Sequence, residues 1–179
     1  MRCMTPVYSI NYGIAPSWFC LTFAGMKILM VCLGNICRSP LAEAVLKHKA
    51  DAAGLSWVVD SAGTNGYHIG DPPHPLSRKV AAEHGLDISM QRARQFLAAD
   101  VERFDRIYAM GQDVVSEMRS IARHRFDPAK IDLLMNVLYP GQDIEVPDPW
   151  SGPESGYHLV YRMVEEASSE LIKIYGSPS

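Results

Sequence analysis

The chain predicts an α/β fold, with a central four-stranded parallel sheet flanked by helices in three layers. Three observations carry that prediction. Four short, mainly apolar runs have strand length and are bounded by turn residues: 27–31, 57–59, 106–110 and 130–135. Stretches with helical patterning separate them, and strands alternating with helices are the signature of a parallel sheet. The joint after the first run reads strand, tight loop, helix start, which places that loop at the carboxyl edge of the sheet, where α/β proteins bind their ligands.

Composition suits such a fold. The 179 residues are 47% hydrophobic and 21% charged, enough for one domain with a sizeable core. Net charge is −3 with no basic run, so the electrostatic footprint of a nucleic-acid binder is missing. All four cysteines lie at or before residue 37 (Cys3, Cys20, Cys32, Cys37), so no disulfide framework staples the rest, which fits a reducing, cytoplasmic compartment. The six histidines show no metal-ligand spacing.

Residues 1–25 mix Tyr, Trp, Phe and Pro without a period. Asn11, Gly13, Pro16 and Ser17 interrupt any signal-peptide core, and a membrane span is excluded on length. They are read as an extension, either a disordered arm or an upstream mis-start before Met26, and residues 26–179 as the domain. Lys27 to Val31 is the first strand. Ser39 as N-cap and Pro40 at the first helical position open a helix over 40–53, which Gly54 closes. The strand Trp57-Val58-Val59 runs into a Gly/Pro-rich loop from Asp60 to Pro73. A helix follows from Pro75 to His84, closed by Gly85. Next come the strand Arg106–Met110, a helix over 112–123 and the strand Lys130–Met135. The last helix runs from about Ser155 to Tyr175, with Val160, Met163, Val164, Ala167, Leu171 and Ile174 as its core stripe.

Chemistry concentrates in the loop Cys32-Leu33-Gly34-Asn35-Ile36-Cys37-Arg38-Ser39. A loop entering a helix N-terminus gathers backbone N–H groups and the positive end of the helix dipole, which makes an anion site. Cys32 stands where the strand ends, and a thiol beside a helix N-terminus and a cation is activated as a nucleophile. Arg38 offers a planar fork that matches two phosphate oxygens. Gly34 and Asn35 tolerate the left-handed backbone that a wrapped loop needs.

Cys32 to Arg38 is a C-x5-R loop, and the fuller string Cys-Leu-Gly-Asn-Ile-Cys-Arg-Ser-Pro resembles the signature of the low-molecular-weight protein tyrosine phosphatases. The resemblance covers residues 26 to about 175 and implies a sheet order of 2-1-3-4. It also implies metal- and cofactor-free hydrolysis of phosphotyrosine in proteins through a cysteinyl-phosphate. Cys32 would be the nucleophile. Arg38 and the Leu33, Gly34, Asn35, Ile36, Cys37 and Ser39 amides would bind phosphate, and the Ser39 hydroxyl would serve the Cys32 sulfur. Asp148, in Val146-Pro147-Asp148-Pro149-Trp150-Ser151-Gly152, matches the family's general acid/base. Tyr67 and Trp150 would sandwich the substrate ring, and Ser61 would hydrogen-bond the loop. Relatives carrying the Cys32/Cys37 pair form a protective disulfide on oxidation.

Five positions depart from the family pattern. Gln91 stands where relatives carry a His that supports Asn35, Gly111 and Val114 stand where they carry Asp and Asn, and Trp150 and Ser151 stand where many carry two adjacent tyrosines. The implied partner is a phosphotyrosine protein, with a cognate tyrosine kinase among the candidates. The implied state is a monomer or at most a weak dimer, with neither nucleic acid nor membrane bound. Relatives that reduce arsenate use two later cysteines, which this chain lacks. Relatives that act on phosphoarginine carry Thr at the position of Ile36. A catalytically weak phosphate-binding module and a thiol-redox protein are the other readings, but the first leaves the intact Cys32, Arg38 and Asp148 unused and the second leaves Arg38 and Asp148 without purpose.

Overall fold

The structure, a computed structural model, describes residues 25–176; the expectations for residues 1–24 and for the last three residues lie outside the described part. Its elements are β1 (Lys27–Cys32), α1 (Arg38–Ala52), β2 (Val58–Gly63), α2 (Pro75–Glu83), α3 (Asp100–Arg103), β3 (Arg106–Ala109), α4 (Gln112–Ala122), β4 (Ile131–Leu133) and α5 (Glu154–Tyr175). All strand pairs are parallel and the sheet order is β2-β1-β3-β4.

β1 explains the three layers. Its side chains alternate between the two faces, and both faces are covered. Ile28, Met30 and Cys32 join the core under α1 and α5, with Leu41, Val45, Val160, Val164 and Leu171. Leu29 and Val31 join the opposite core, with Phe96, Val101, Phe104, Val114 and Met118. A small third cluster of Ile36, Cys37, Val80, Ala93 and Tyr157 lies beneath the loop that follows β1. Among the described residues no helix is long and apolar enough to cross a membrane.

Several sequence expectations need correction. Asp60 to Gly63 is strand, not loop, because its backbone pairs with β1 as far as Cys32↔Gly63. Pairing with a central strand outweighs the turn propensity of Asp, Ser and Gly. α1 starts at Arg38 with Cys37 in the cap position, so Ser39 lies inside the first turn and does not cap. Pro40 is still tolerated there, since first-turn N–H groups have no helical partner. β4 is only Ile131–Leu133, after which Leu134–Val137 form a 3₁₀ turn. α3 was not foreseen. Ile174 leaves the α5 stripe and is 49% exposed, while Tyr157 at the other end is fully buried.

Candidate active site

β1 ends at Cys32 and α1 begins six residues later at Arg38, so the connecting loop bends sharply at the carboxyl edge of the sheet. Asn35 makes the bend with φ of 54°, in the left-handed region. Gly63 lets the loop lie close to β2. A Cβ there would stand 2.8 Å from the Leu33 carbonyl oxygen and 2.9 Å from the Asn35 nitrogen, both backbone atoms that cannot swing away. Gly63→Ala is therefore expected to cost about 1–3 kcal/mol and to depress activity by opening the loop, checked by urea unfolding and initial rates.

Asn35 is the hub of a hydrogen-bonded chain. Its Nδ2 donates to Ser39 Oγ at 2.9 Å and to Ser61 Oγ at 2.8 Å, which uses both amide hydrogens. Each serine then has a further partner. Ser61 Oγ donates to Glu43 Oε2 at 2.6 Å, and Ser39 Oγ lies 3.0 Å from Cys32 Sγ. The Asn35 N–H also points at Cys32 Sγ, at 3.2 Å. Asn35 Oδ1 accepts from the Arg94 N–H at 2.9 Å. Arg94 is itself clamped by Asp60 at 2.8 Å and by the fully buried Asp100 at 2.9 Å. Burial opposes the Arg94 charge, but these two carboxylates outweigh it and hold the guanidinium above its ordinary value.

Glu43, Arg94 and Asp100 are members of this chain that the sequence reading missed. Gln91 does not support Asn35 in place of the family's His; its Nε2 donates to the Pro40 carbonyl at 3.3 Å. Burial raises the Glu43 carboxyl above its ordinary value, against the hydrogen bond from Ser61. The folded protein thus holds the Glu43 proton more tightly than the unfolded chain does. The stability tied to that proton is full below the unfolded carboxyl value and is lost as pH rises through the folded one. Glu43→Gln removes the loss, so the urea midpoint of the variant should gain on wild type between pH 4 and pH 8.

The cavity over the loop holds about 160 Å³ and is lined by Cys32, Leu33, Gly34, Ile36, Cys37, Arg38, Asn65, His68, Asp148 and Trp150. That is smaller than most cofactor and drug sites and suits a phosphorylated side chain. Arg38 is buried at its base. Its Nη1 donates to the Val146 carbonyl at 3.2 Å and its Nη2 to Asp148 Oδ2 at 2.8 Å. Asp148 is held in its turn by the Trp150 N–H, 3.2 Å from Oδ1. Cys37 Sγ lies 3.8 Å from the Tyr157 hydroxyl, and burial pushes its thiol up to about 12.

The structure thus brings Cys32, Leu33, Gly34, Ile36, Cys37, Arg38, Asp148 and Trp150 to one cavity, while Asn35 and Ser39 stand behind the wall as struts. Tyr67 is a correction: it is 88% exposed and lies outside the lining. Asn65 Oδ1 accepts the Tyr67 N–H at 3.3 Å, and the turn that follows leaves the Tyr67 ring in solvent and brings His68 inward. The rings against Trp150 are those of His68 and His74, each with its centroid 5.4 Å away, and of the two only His68 lines the cavity. Among the described residues, one carboxylate–imidazole group could hold a metal: Glu83, Glu154 and His158. It lies outside the cavity lining, and Lys79 already pairs with Glu154 at 2.6 Å.

The molecule is a three-layer α/β protein with a parallel sheet and an arginine-floored, thiol-bearing loop at the sheet's carboxyl edge. The model of the low molecular weight phosphotyrosine protein phosphatase family matches residues 27–176. A low molecular weight protein-tyrosine-phosphatase of Streptomyces coelicolor is 39% identical over 150 residues, covering 82% of this chain and 91% of the relative. The crystal structure of a protein tyrosine phosphatase from Entamoeba histolytica with Hepes in its active site aligns at a TM-score of 0.75 and 37% identity, covering 83% of this chain and 95% of that one. The Drosophila arginine phosphatase DARP aligns at 0.77 and 32% identity, covering 86% and 100%. The chain belongs to the low molecular weight phosphotyrosine protein phosphatase family and is a hydrolase of that class.

Proposed function

We propose that the chain removes phosphate from phosphotyrosine in proteins by way of a cysteinyl-phosphate on Cys32. The observation that carries this reading is the convergence of Cys32, Arg38 and Asp148 on one small cavity. A phosphate entering it takes the Arg38 fork, which in the resting site is held by Asp148 and the Val146 carbonyl. Asp148 is thereby released toward the ester oxygen. Sulfur attacks phosphorus, the bond to the tyrosyl oxygen breaks, and Asp148 supplies the proton that this oxygen takes up. Water then attacks the phosphocysteine. Asp148 accepts its proton, and the sulfur leaves as thiolate, stabilised by the Ser39 hydroxyl and the Asn35 N–H. Arg38 and the loop hold the equatorial oxygens through both steps.

Arginine phosphatase activity is the second reading, and the similarity to the Drosophila enzyme favours testing it. The larger Ile36 where arginine phosphatases carry Thr supports phosphotyrosine. Cys37 stays protonated at neutral pH and is therefore a slow partner for an oxidised Cys32. The deciding experiment gives the full chain phosphotyrosine and phosphoarginine peptides of otherwise identical sequence. A higher kcat/KM on phosphotyrosine supports the first reading, and the reverse order replaces it with the second.

A further inference from the structure

A second, shallower cavity of about 250 Å³ adjoins the first and shares Ile36, His68 and Trp150 with it. Its remaining walls are Asp71, Pro72, Pro73, His74, Pro75 and Arg78. Three prolines fix the backbone φ on one side, so the shape is preorganised and little ordering cost falls on binding. The volume fits a single amino-acid side chain and falls short of a typical small-molecule site.

The groove carries one carboxylate and one guanidinium, at different places on its wall and not paired with each other. Asp71 carries the only carboxylate of the lining, and its Oδ2 lies 3.1 Å from His68 Nδ1. His74 Nδ1 accepts the Leu76 N–H at 3.2 Å, so its ring proton sits on Nε2 as a donor. Burial lowers the His74 value, which keeps that ring neutral. Arg78, on the exposed face of α2, makes no side-chain hydrogen bond or ion pair among the described residues. The groove therefore offers one cation without a protein partner, Arg78, and one neutral N–H donor, His74, while its carboxylate, Asp71, is engaged by His68.

We propose that this groove is a subsite for an acidic side chain within two positions of the phosphotyrosine, with Arg78 as the residue that reads it. The proposal rests on the phosphatase reading above and names the substrate class for that site. Two observations commit the occupant. The groove shares Ile36, His68 and Trp150 with the phosphate cavity, so it lies next to a peptide anchored there by its phosphotyrosine. An extended peptide rises about 3.3 Å per residue, which places a neighbouring side chain over the groove. The uncompensated Arg78 then selects a carboxylate over an ammonium. A partly exposed ion pair of this kind changes kcat/KM by up to about fivefold.

The test uses the full chain with three kinds of substrate: p-nitrophenyl phosphate, phosphotyrosine peptides with Glu at one flanking position from −2 to +2, and the same set with Lys. Wild type should prefer Glu at one or two of these positions by about fivefold, Arg78→Ala should level the preference, and Arg78→Glu should reverse it. p-Nitrophenyl phosphate is too short to reach Arg78, so its turnover reports the phosphate cavity and the fold of each variant. Equal rates on Glu and Lys peptides, or a Glu preference that survives Arg78→Glu, overturns the subsite while leaving the phosphatase reading intact. A wild-type chain that hydrolyses neither p-nitrophenyl phosphate nor any peptide overturns both.

Discussion

Cys32→Ser is expected to lower kcat/KM by at least about 10⁴-fold while leaving the fold and the affinity for inorganic phosphate in place. Serine is nearly isosteric, so its Oγ still faces the cavity. It would meet the Ser39 hydroxyl and the Asn35 N–H, which lie 3.0 and 3.2 Å from the sulfur in the native protein. Neither of these groups is a base that could take a proton from the serine. A cysteine can lose its own proton near neutral pH, but a serine in this position has no base to activate it. Single-turnover rates on a phosphotyrosine peptide, with phosphate binding followed by calorimetry, check the expectation. A serine variant that keeps a tenth of the activity would remove Cys32 from the nucleophile's place.

The second large effect concerns Asp148. Asp148 uses both carboxylate oxygens, Oδ2 for Arg38 Nη2 at 2.8 Å and Oδ1 for the Trp150 N–H at 3.2 Å, so Asp148→Asn keeps one acceptor for one of these partners and puts an NH2 group at the other. The variant has the shape of the acid without its charge or its transferable proton. Turnover of phosphotyrosine should fall by about 10²–10⁴-fold, since a tyrosyl oxygen leaves poorly as an anion. p-Nitrophenyl phosphate should suffer far less, because its leaving group needs little help. The ratio of the two rates is the measurement. Equal losses on both substrates would assign Asp148 to holding Arg38 and not to proton transfer.

The parts of the site that were legible in the sequence are those set by local chain geometry. Cys32, Arg38 and the residues between them were readable because a strand, a loop with Gly34 and Asn35, and a helix start occur in one short stretch. Asp148 was readable only by resemblance, since Asp flanked by prolines is as common in plain turns. What stayed hidden depends on tertiary neighbours. Asp60 to Gly63 has turn composition, and only its pairing with β1 makes it a strand. Glu43 looks like any surface position of a helix until β2 brings Ser61 to within 2.6 Å. Tyr67 and His68 are adjacent, and which one turns inward is fixed by the Asn65 turn and by packing against Trp150, neither of which leaves a periodic trace.

Arg38 and Asp148 meet across 110 positions of sequence, and the strand bearing Cys32 lies in the interior of an all-parallel sheet. Such closure is entropically slow, because no hairpin or local helix pair can assemble it piecemeal. During renaturation, helical circular dichroism should therefore return before catalytic competence, which waits for the final docking of the 146–150 segment against the first helix. Activity in this protein is a reporter of complete topology, and a truncated or kinetically trapped chain with ample secondary structure would be silent.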